Sequence, residues 1–565
     1  MDYKEKADYW LSVYGLDKEF KKKIKNMSET ELKECFGSDI EFGTGGMRGK
    51  LGPGTNRMNI YVVRKATLGF GRYLIKNVKK ALQRGVVISF DNRHMSKEFS
   101  REAAHVLASL GFEHVFCYDS LRPTPQLSWT VRHLNAAGGI MITASHNPKE
   151  YNGYKAYNQE GCQLNLKESE EVINEINNVE SMFNIKVSEN HKKIHFIYDE
   201  YDEEYLNDIS TIRLNPDCKK DFKIVYTPLH GTGSVYIPRF LNEIGYDVTP
   251  VPSQMENDPE FAAVSSSNPE NAQAFDKAMN LATRIGAKIV LATDPDADRL
   301  GIGILHNGEW RLLTGNELAA IVFNYICENK KKDPKWPNPK LKPYMFSTIV
   351  SSQLTTRIAD KYGITTVLTL TGFKFIGEQA KLIEGKGEYV FGYEESYGCL
   401  IKDCVRDKDS IQASLMALEA ASYYYEKGKD LVDVLADIYN EYGCFRASQA
   451  NIQLEGLEGQ AKIAQIMNYF RTEEITLEGY NIVRFEDYST SIAKDLKSGK
   501  EEALTLPKSN VLKFIMEDGS WFVLRPSGTE PKIKIYAEAV GRQFDETTLA
   551  CEKLKGAVLD IVNTI

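Results

Sequence analysis

No stretch of this 565-residue chain approaches the roughly 18 consecutive apolar residues that cross a bilayer. The start, Met1-Asp2-Tyr3-Lys4-Glu5-Lys6-Ala7-Asp8, is charged with no apolar run behind it, so no secretory signal is read there. The nine cysteines (35, 117, 162, 218, 327, 399, 404, 444 and 551) include no CxxC pair. That scatter fits buried or free thiols in a reducing compartment better than a disulfide framework or a zinc site. A basic excess is missing too: 70 Lys and Arg against 78 Asp and Glu leave a net charge of −8, which disfavours a non-specific nucleic-acid binder. Several catalytic fingerprints are also absent. There is no G-x-G-x-x-G for a dinucleotide. The segment Gly43-Thr44-Gly45-Gly46-Met47-Arg48-Gly49-Lys50 fails as a P-loop, because Thr44 stands five residues before Gly49 and Leu51 replaces Ser or Thr.

What is present is ordinary globular composition, 42% hydrophobic and 26% charged. At roughly 150 residues per domain the length suggests three to four domains. Short β-branched runs alternate with helical periodicity. The strand candidates are Val86 to Phe90, His114 to Tyr118, Gly139 to Thr143, Lys223 to Tyr226, Lys288 to Ala292 and Met345 to Val350. Ser96 to Leu110 carries apolar residues at helical spacing, and Gly111 stops it. Such alternation predicts parallel α/β sheets. The last ~120 residues read as a smaller α+β domain, with strands over Val511 to Met516, Trp521 to Leu524 and Lys532 to Glu538. The polar stretch Ser188 to Glu204, the Lys- and Pro-rich stretch Lys330 to Pro339 and Gly443 to Ala450 are the candidate linkers. They predict four domains: 1–205, 206–328, 329–445 and 446–565.

Ligands of open α/β sheets bind outside the carboxyl ends of the strands, so polar loops at strand ends are where chemistry is sought. Thr143-Ala144-Ser145-His146-Asn147-Pro148 exposes a serine beside a histidine. It reads as a nucleophilic or phosphorylated serine, or as a helix N-cap; a hydrolase elbow is excluded by Thr143 and Asn147. Lys155 follows closely. Asp294-Pro295-Asp296-Ala297-Asp298-Arg299 puts carboxylates at i, i+2 and i+4, which repel one another unless a hard divalent cation sits among them. Arg299 and Leu305 stand where a calcium loop needs Gly and Glu, so Mg²⁺ fits better. Gly392 to Gly398, with Glu394 and Ser396, suits sugar hydroxyls, and Thr371, Gly372, Lys374 and Lys408 add charge and backbone donors nearby. Arg525-Pro526-Ser527-Gly528-Thr529 forms a compact anion nest.

Together the motifs TASHNP, DPDADR, GYEES and RPSGTEP resemble, in order, the phosphoserine, metal, sugar and phosphate loops of the α-D-phosphohexomutase superfamily. The resemblance runs from about Phe42 to Tyr536, and FGTGGMRGKLGPGTNRMN and VRDKD look like its longer phosphoglucomutase branch, which includes phosphopentomutase-like members. It implies an α/β architecture of four domains, three similar α/β domains with mixed or parallel sheets and a C-terminal α+β domain, around a central cleft. It implies that Ser145 is phosphorylated and that Asp294, Asp296 and Asp298 hold one Mg²⁺ with an oxygen on Ser145. Glu394 and Ser396 would bind sugar hydroxyls, with Thr371, Gly372 and Lys374 beside them. Arg525, Ser527, Gly528 and Thr529 would bind the phosphate that is not reacting, and Arg48, His146, Lys155 and Arg299 would neutralise the transferred phosphoryl group. Lys408 resembles the basic residue of that branch and is favoured as proton carrier, with Lys155 as competitor.

The activity implied is interconversion of glucose 1-phosphate and glucose 6-phosphate, with glucose 1,6-bisphosphate as intermediate and activator. Phosphopentomutase, phosphomannomutase, a Mg²⁺ phosphatase and a non-catalytic sugar-phosphate-binding protein are the alternatives. The expected protein is cytoplasmic, a monomer or dimer, and binds neither nucleic acid nor membrane. Its cleft is expected to be locally basic, from Arg48, Lys155, Arg299, Lys374, Lys408 and Arg525.

Overall fold

The structure is a computed structural model that describes residues 1–43, 45–187, 191–454, 456–527 and 532–565. The chain divides into two compact units, residues 1–314 with 373–428 and residues 315–372 with 429–565.

The first unit holds two mixed sheets. One consists of β1 (Gly46–Lys50), β2 (Val86–Phe90), β3 (Val115–Tyr118), β4 (Gly138–Ile142), β5 (Tyr151–Tyr157) and β6 (Ile194–Ile197), in the order β1-β5-β4-β2-β3-β6. Strands β4, β2, β3 and β6 are parallel, while β5 and β1 run antiparallel at one edge. The alternation of β2 explains its central place. Val86, Ile88 and Phe90 pack into one core with Phe70, Phe99 and Leu107, whereas Val87 packs into another with Leu127 and Val131. A strand covered on both faces reads as a continuous apolar run, and burying each such side chain contributes about 1.5–3 kcal/mol.

The second sheet consists of β7 (Lys223–Thr227), β8 (Asp247–Pro250), β9 (Ile289–Thr293), β10 (Leu300–His306) and β11 (Glu309–Leu313), in the order β11-β10-β9-β7-β8. Strands β9, β7 and β8 are parallel and β10 and β11 antiparallel. An antiparallel pair, Gly387–Glu394 with Gly398–Leu400, completes the strands of this unit. In the second unit Lys342–Thr348 and Thr365–Thr369 pair in parallel. A seven-stranded sheet follows, paired antiparallel throughout and packed on the helix Phe544–Thr564.

Two expected linkers are structured instead. Within 188–204, residues 188–190 lie outside the described residues, but Ile194–Ile197 is the edge strand β6. An edge strand needs only one paired side and tolerates polar residues such as His195, which disguises it. Gly443 to Ala450 is not a linker either, because Cys444–Gln453 pairs along its length with Lys532–Gly541. The expected domain boundaries at 205/206, 328/329 and 445/446 fall inside the helices Asp202–Ser210 and Gly315–Lys330 and the strand Cys444–Gln453. By contrast, residues 331–340 carry no helix or strand and are almost all exposed. None of the nine cysteines forms a disulfide. Among the described residues no helix is long and apolar enough to cross a membrane.

Candidate active site

The serine loop leaves the carboxyl end of β4 and the aspartate loop leaves that of β9. Ser145 sits in the left-handed region at φ 50°, and its backbone N–H donates to Thr143 Oγ1 at 2.8 Å. Its hydroxyl donates to Asp294 Oδ2 at 2.7 Å and lies 3.2 Å from His146 Nδ1. Antiparallel β5 runs back beside this loop and sets Lys155 opposite Met141 and Gly46. The approach requires glycine at 153, where a Cβ would stand 2.4 Å from the Thr143 carbonyl oxygen.

The aspartate loop is wound on its own backbone. Asp294 Oδ1 accepts the N–H groups of Asp298 and Arg299, each at 3.1 Å, and Ala297 takes φ 52°. The loop lies directly on Gly231, whose missing Cβ would sit 2.3 Å from Pro295 Cα. The carboxylates of Asp294, Asp296 and Asp298 are buried, and each offers an oxygen, the three within 4.8 Å of one another. Asp296 Oδ2 accepts from Lys155 Nζ at 2.7 Å and Thr124 Oγ1 at 2.9 Å. Asp298 Oδ2 faces Lys408 Nζ at 3.2 Å and Lys155 Nζ at 3.6 Å. Asp296 Oδ1 and Asp298 Oδ1 are buried with no hydrogen bond. Bare buried carboxylate oxygens are costly, and a hard divalent cation among them removes the cost. The residues present therefore fit a Mg²⁺-type ion.

Charges set the protonation of these groups. Burial pushes the Asp294 carboxyl well above the usual carboxylate range, with Asp298 and Asp296 adding to the rise. Burial also works on Asp296, but the Lys155 ammonium outweighs it and holds that carboxyl below its ordinary value. Burial would depress Lys155 and Lys408. Asp296 and Asp298 raise Lys155 instead, and Asp298, Asp407 and Glu394 raise Lys408. Burial, then Arg299 and Arg48, lowers His146 well below its usual value, so it is neutral near pH 7.

Lys408 also lies 4.0 Å from Glu394 Oε2 and 3.4 Å from Asp407 Oδ1. Arg299 donates to Glu270 Oε1 at 2.6 Å and stands 3.8 Å from Asp298 Oδ1. Arg48 donates to Asn147 Oδ1 at 2.9 Å. Half-buried Ser396 lies in the turn just after Glu394. Lys374 lies on the helix Phe373–Ile383 with its ammonium 5.0 Å over the Phe375 ring, and burial lowers it to about 8. In the second unit, Thr371 and Gly372 follow the strand Thr365–Thr369, with Gly372 at φ 117°. Arg525 pairs opposite Lys534, and the Ser527 N–H donates to the Lys532 carbonyl at 2.7 Å. Gly528 and Thr529 lie outside the described residues.

In the first unit the expected basic pocket is a balanced one, because Lys155 and Lys408 are ion-paired to the aspartates. The sequence does not single out Thr124 or the pair Asp91 and Arg93, while Asp407, which stands in the charged VRDKD stretch, proves to lie against Lys408. Asp91 and Arg93 follow β2 directly, so the strand-end rule that found the other loops also covers them.

The chain matches family models described as phosphoglucomutase/phosphomannomutase, alpha/beta/alpha domain I over 39–182, domain II over 203–307, domain III over 314–442, and the C-terminal domain over 482–548. It is 37% identical over 561 residues to a phosphoglucomutase of Staphylococcus epidermidis, covering 98% of this chain and 99% of that protein. A phosphoglucomutase of Staphylococcus aureus is 37% identical over 92% of this chain and 93% of its own. Among solved structures, parafusin from Paramecium, a phosphoglucomutase in its open form, superposes with TM-score 0.64 at 18% identity over 93% of this chain and 96% of that one. A phosphoglucomutase/phosphomannomutase family protein of Burkholderia thailandensis gives 0.65 at 16% identity over 92% and 97%. With three α/β domains and a β-rich C-terminal domain matched in order, and relatives aligned end to end, the chain belongs to the phosphoglucomutase/phosphomannomutase family of isomerases.

Proposed function

We propose that this chain interconverts glucose 1-phosphate and glucose 6-phosphate through a phosphorylated Ser145 and a glucose 1,6-bisphosphate intermediate. The observation that carries the reading is the Ser145 hydroxyl, 2.7 Å from Asp294 in a buried triad that retains two carboxylate oxygens without a hydrogen bond. Asp294, Asp296 and Asp298 would hold one Mg²⁺ beside the Ser145 oxygen. When bound, that ion neutralises charge on the phosphoryl oxygens and stabilises the transfer electrostatically.

The chain's own residues do the rest. Ser145 Oγ carries the phosphoryl group to a free sugar hydroxyl and takes the other phosphate back. Lys408 is the proposed proton carrier: its ammonium gives a proton to the departing oxygen and regains one from the attacking hydroxyl, with Lys155 as the alternative carrier. Arg48 and Arg299 offset charge on the moving group, whereas His146, neutral in its buried place beside those two cations, offers only a hydrogen bond and not the charge expected of it. Glu394 and Ser396 accept sugar hydroxyls. Thr371, Gly372, Lys374, Arg525, Ser527, Gly528 and Thr529 complete the proposed substrate-binding set. The chain would form four domains, with breaks near 205, 328 and 445 that spare the helices Asp202–Ser210 and Gly315–Lys330 and the strand Cys444–Gln453. It also keeps a cytoplasmic protein, monomeric or dimeric.

The test is intact mass before and after incubation with glucose 1,6-bisphosphate. A gain of one phosphoryl group mapped to Ser145, absent in Ser145→Ala, supports the reading; no gain in the parent overturns it. Parallel kcat/KM values on glucose, mannose and ribose 1-phosphates test the sugar.

A further inference from the structure

Arg93 follows β2 in the segment Asp91-Asn92-Arg93 and belongs to none of the loops described above. Its side chain and that of Asp91 are fully enclosed, with Nε 3.3 Å from Asp91 Oδ2. Arg93 Nη1 donates to the carbonyls of Pro148 at 2.9 Å and Tyr151 at 3.0 Å; Nη2 donates to that of Ser145 at 2.6 Å and also to that of Asn147. Four carbonyls from a seven-residue stretch thus converge on one planar fork. The guanidinium is backed by the Phe261 ring at 5.2 Å. Asp91 is held in turn, its Oδ1 accepting from the Arg93 N–H at 3.0 Å and Ser96 Oγ at 2.7 Å.

This is an uncommon use of a buried charge. A buried ion pair adds little stability over a hydrocarbon of equal volume, but a hydrocarbon has no donors for four inward-facing carbonyls. Unpaired, those groups would turn toward water and carry the loop with them. The residue with most to lose is Ser145, whose φ of 50° is a strained conformation for a non-glycine residue and persists only if its surroundings over-determine it. Because Asp91 balances the charge, the contribution of Arg93 to the site is geometric. Lysine could not replace it, since three donors on one atom do not span the fork.

We propose that Arg93, buttressed by Asp91, is the positioning residue for Ser145: it holds the serine in its left-handed conformation and so aims its hydroxyl into the aspartate triad. The proposal rests on the reading of Ser145 as phosphoryl carrier, and its test separates the two. Arg93→Lys retains the charge and Arg93→Met removes it at similar length, so a folding failure of one leaves the other. Crystal structures of variant and parent are expected to differ at Ser145, with φ leaving the left-handed region and the hydrogen bond to Asp294 lost. Phosphorylation of Ser145 by glucose 1,6-bisphosphate and kcat should fall about 100-fold, as a misplacement near 1 Å does. The KM for sugar phosphate should stay within about two-fold, because Arg93 touches no group assigned to the substrate.

An unchanged Ser145 geometry and rate in a folded variant overturns the proposal. So does a rate loss that only follows the loss of folded protein. If the loop shifts in the variant but the parent takes up no phosphoryl group, the positioning role stands and the mutase reading falls.

Discussion

Thr124 and Asp296 are bonded twice over: the Thr124 N–H donates to the Asp296 carbonyl at 2.9 Å, and its hydroxyl donates to Asp296 Oδ2 at 2.9 Å. A residue at the start of one helix thereby fixes both the backbone and the carboxylate of a loop 172 positions away. With Lys155 on the same oxygen, Oδ1 is left buried without a hydrogen bond.

Thr124→Val removes the hydroxyl and keeps shape and backbone contact. Half-saturation by Mg²⁺ is expected to rise about 10-fold, the usual cost of losing an outer partner of a ligand. The stability loss should stay near 1 kcal/mol, because Lys155 still bonds that oxygen. Metal titration of activity, with melting curves alongside, checks both.

Gly398 faces the stem of Lys408, and a Cβ there would lie 2.0 Å from Lys408 Cδ. Gly398→Ala must push Lys408 off Asp298. The expected result is a kcat about 100-fold lower with a stability loss of about 1–3 kcal/mol from overpacking. A kcat within two-fold of the parent would show that Lys408 need not hold this position.

Lys408→Met and Lys155→Met separate the two proposed proton carriers. Each variant leaves Asp298 with the other ammonium, at 3.6 Å or 3.2 Å. Loss of the carrier should lower kcat by about 10²–10⁴-fold. The larger loss is expected for Lys408, which also lies 4.0 Å from the proposed sugar ligand Glu394. Steady-state rates of the two proteins decide it.

Asp409 is buried at the start of the helix Ser410–Tyr425, and burial pushes its carboxyl from 3.8 up to about 6. The native state therefore holds this proton more tightly than the unfolded chain. The stability it contributes is complete below the unfolded value and lost as pH rises through about 6, a change of about 3 kcal/mol. Asp409→Asn cannot titrate and keeps an acceptor for the Ile411 and Gln412 N–H groups. Its melting temperature relative to the parent should be a few degrees higher at pH 7.5 than at pH 4.5. An equal offset at both values would remove Asp409 as the titrating group.

Much of the first unit was legible in the chain. Val86 to Phe90 forms the strand its β-branched run predicts, and Ser96–Ser109 forms the predicted helix. The serine and aspartate loops stand at strand ends as expected, because hydrophobic period and turn chemistry are local properties. Edge strands were not legible. Ile194–Ile197 and Cys444–Gln453 mix polar and apolar residues, since one side of each is not buried in a sheet interior.

Which residue types stand in the strand-end loops is a property of the chain alone, and with it the chemistry available: a serine, three alternating carboxylates and several cations. Which of them meet depends on how the strands are ordered and packed. The order β4-β2-β3 of the first sheet, read together with the contacts of the second, joins Ser145 to Asp294 over 149 positions, Thr124 to Asp296 over 172 and Tyr157 to Asp407 over 250. Pairings of that span carry no local periodicity. They arise where sheet order and burial force a polar group to find its partner, and that is also why Arg93 becomes visible only once four carbonyls are seen to turn toward it.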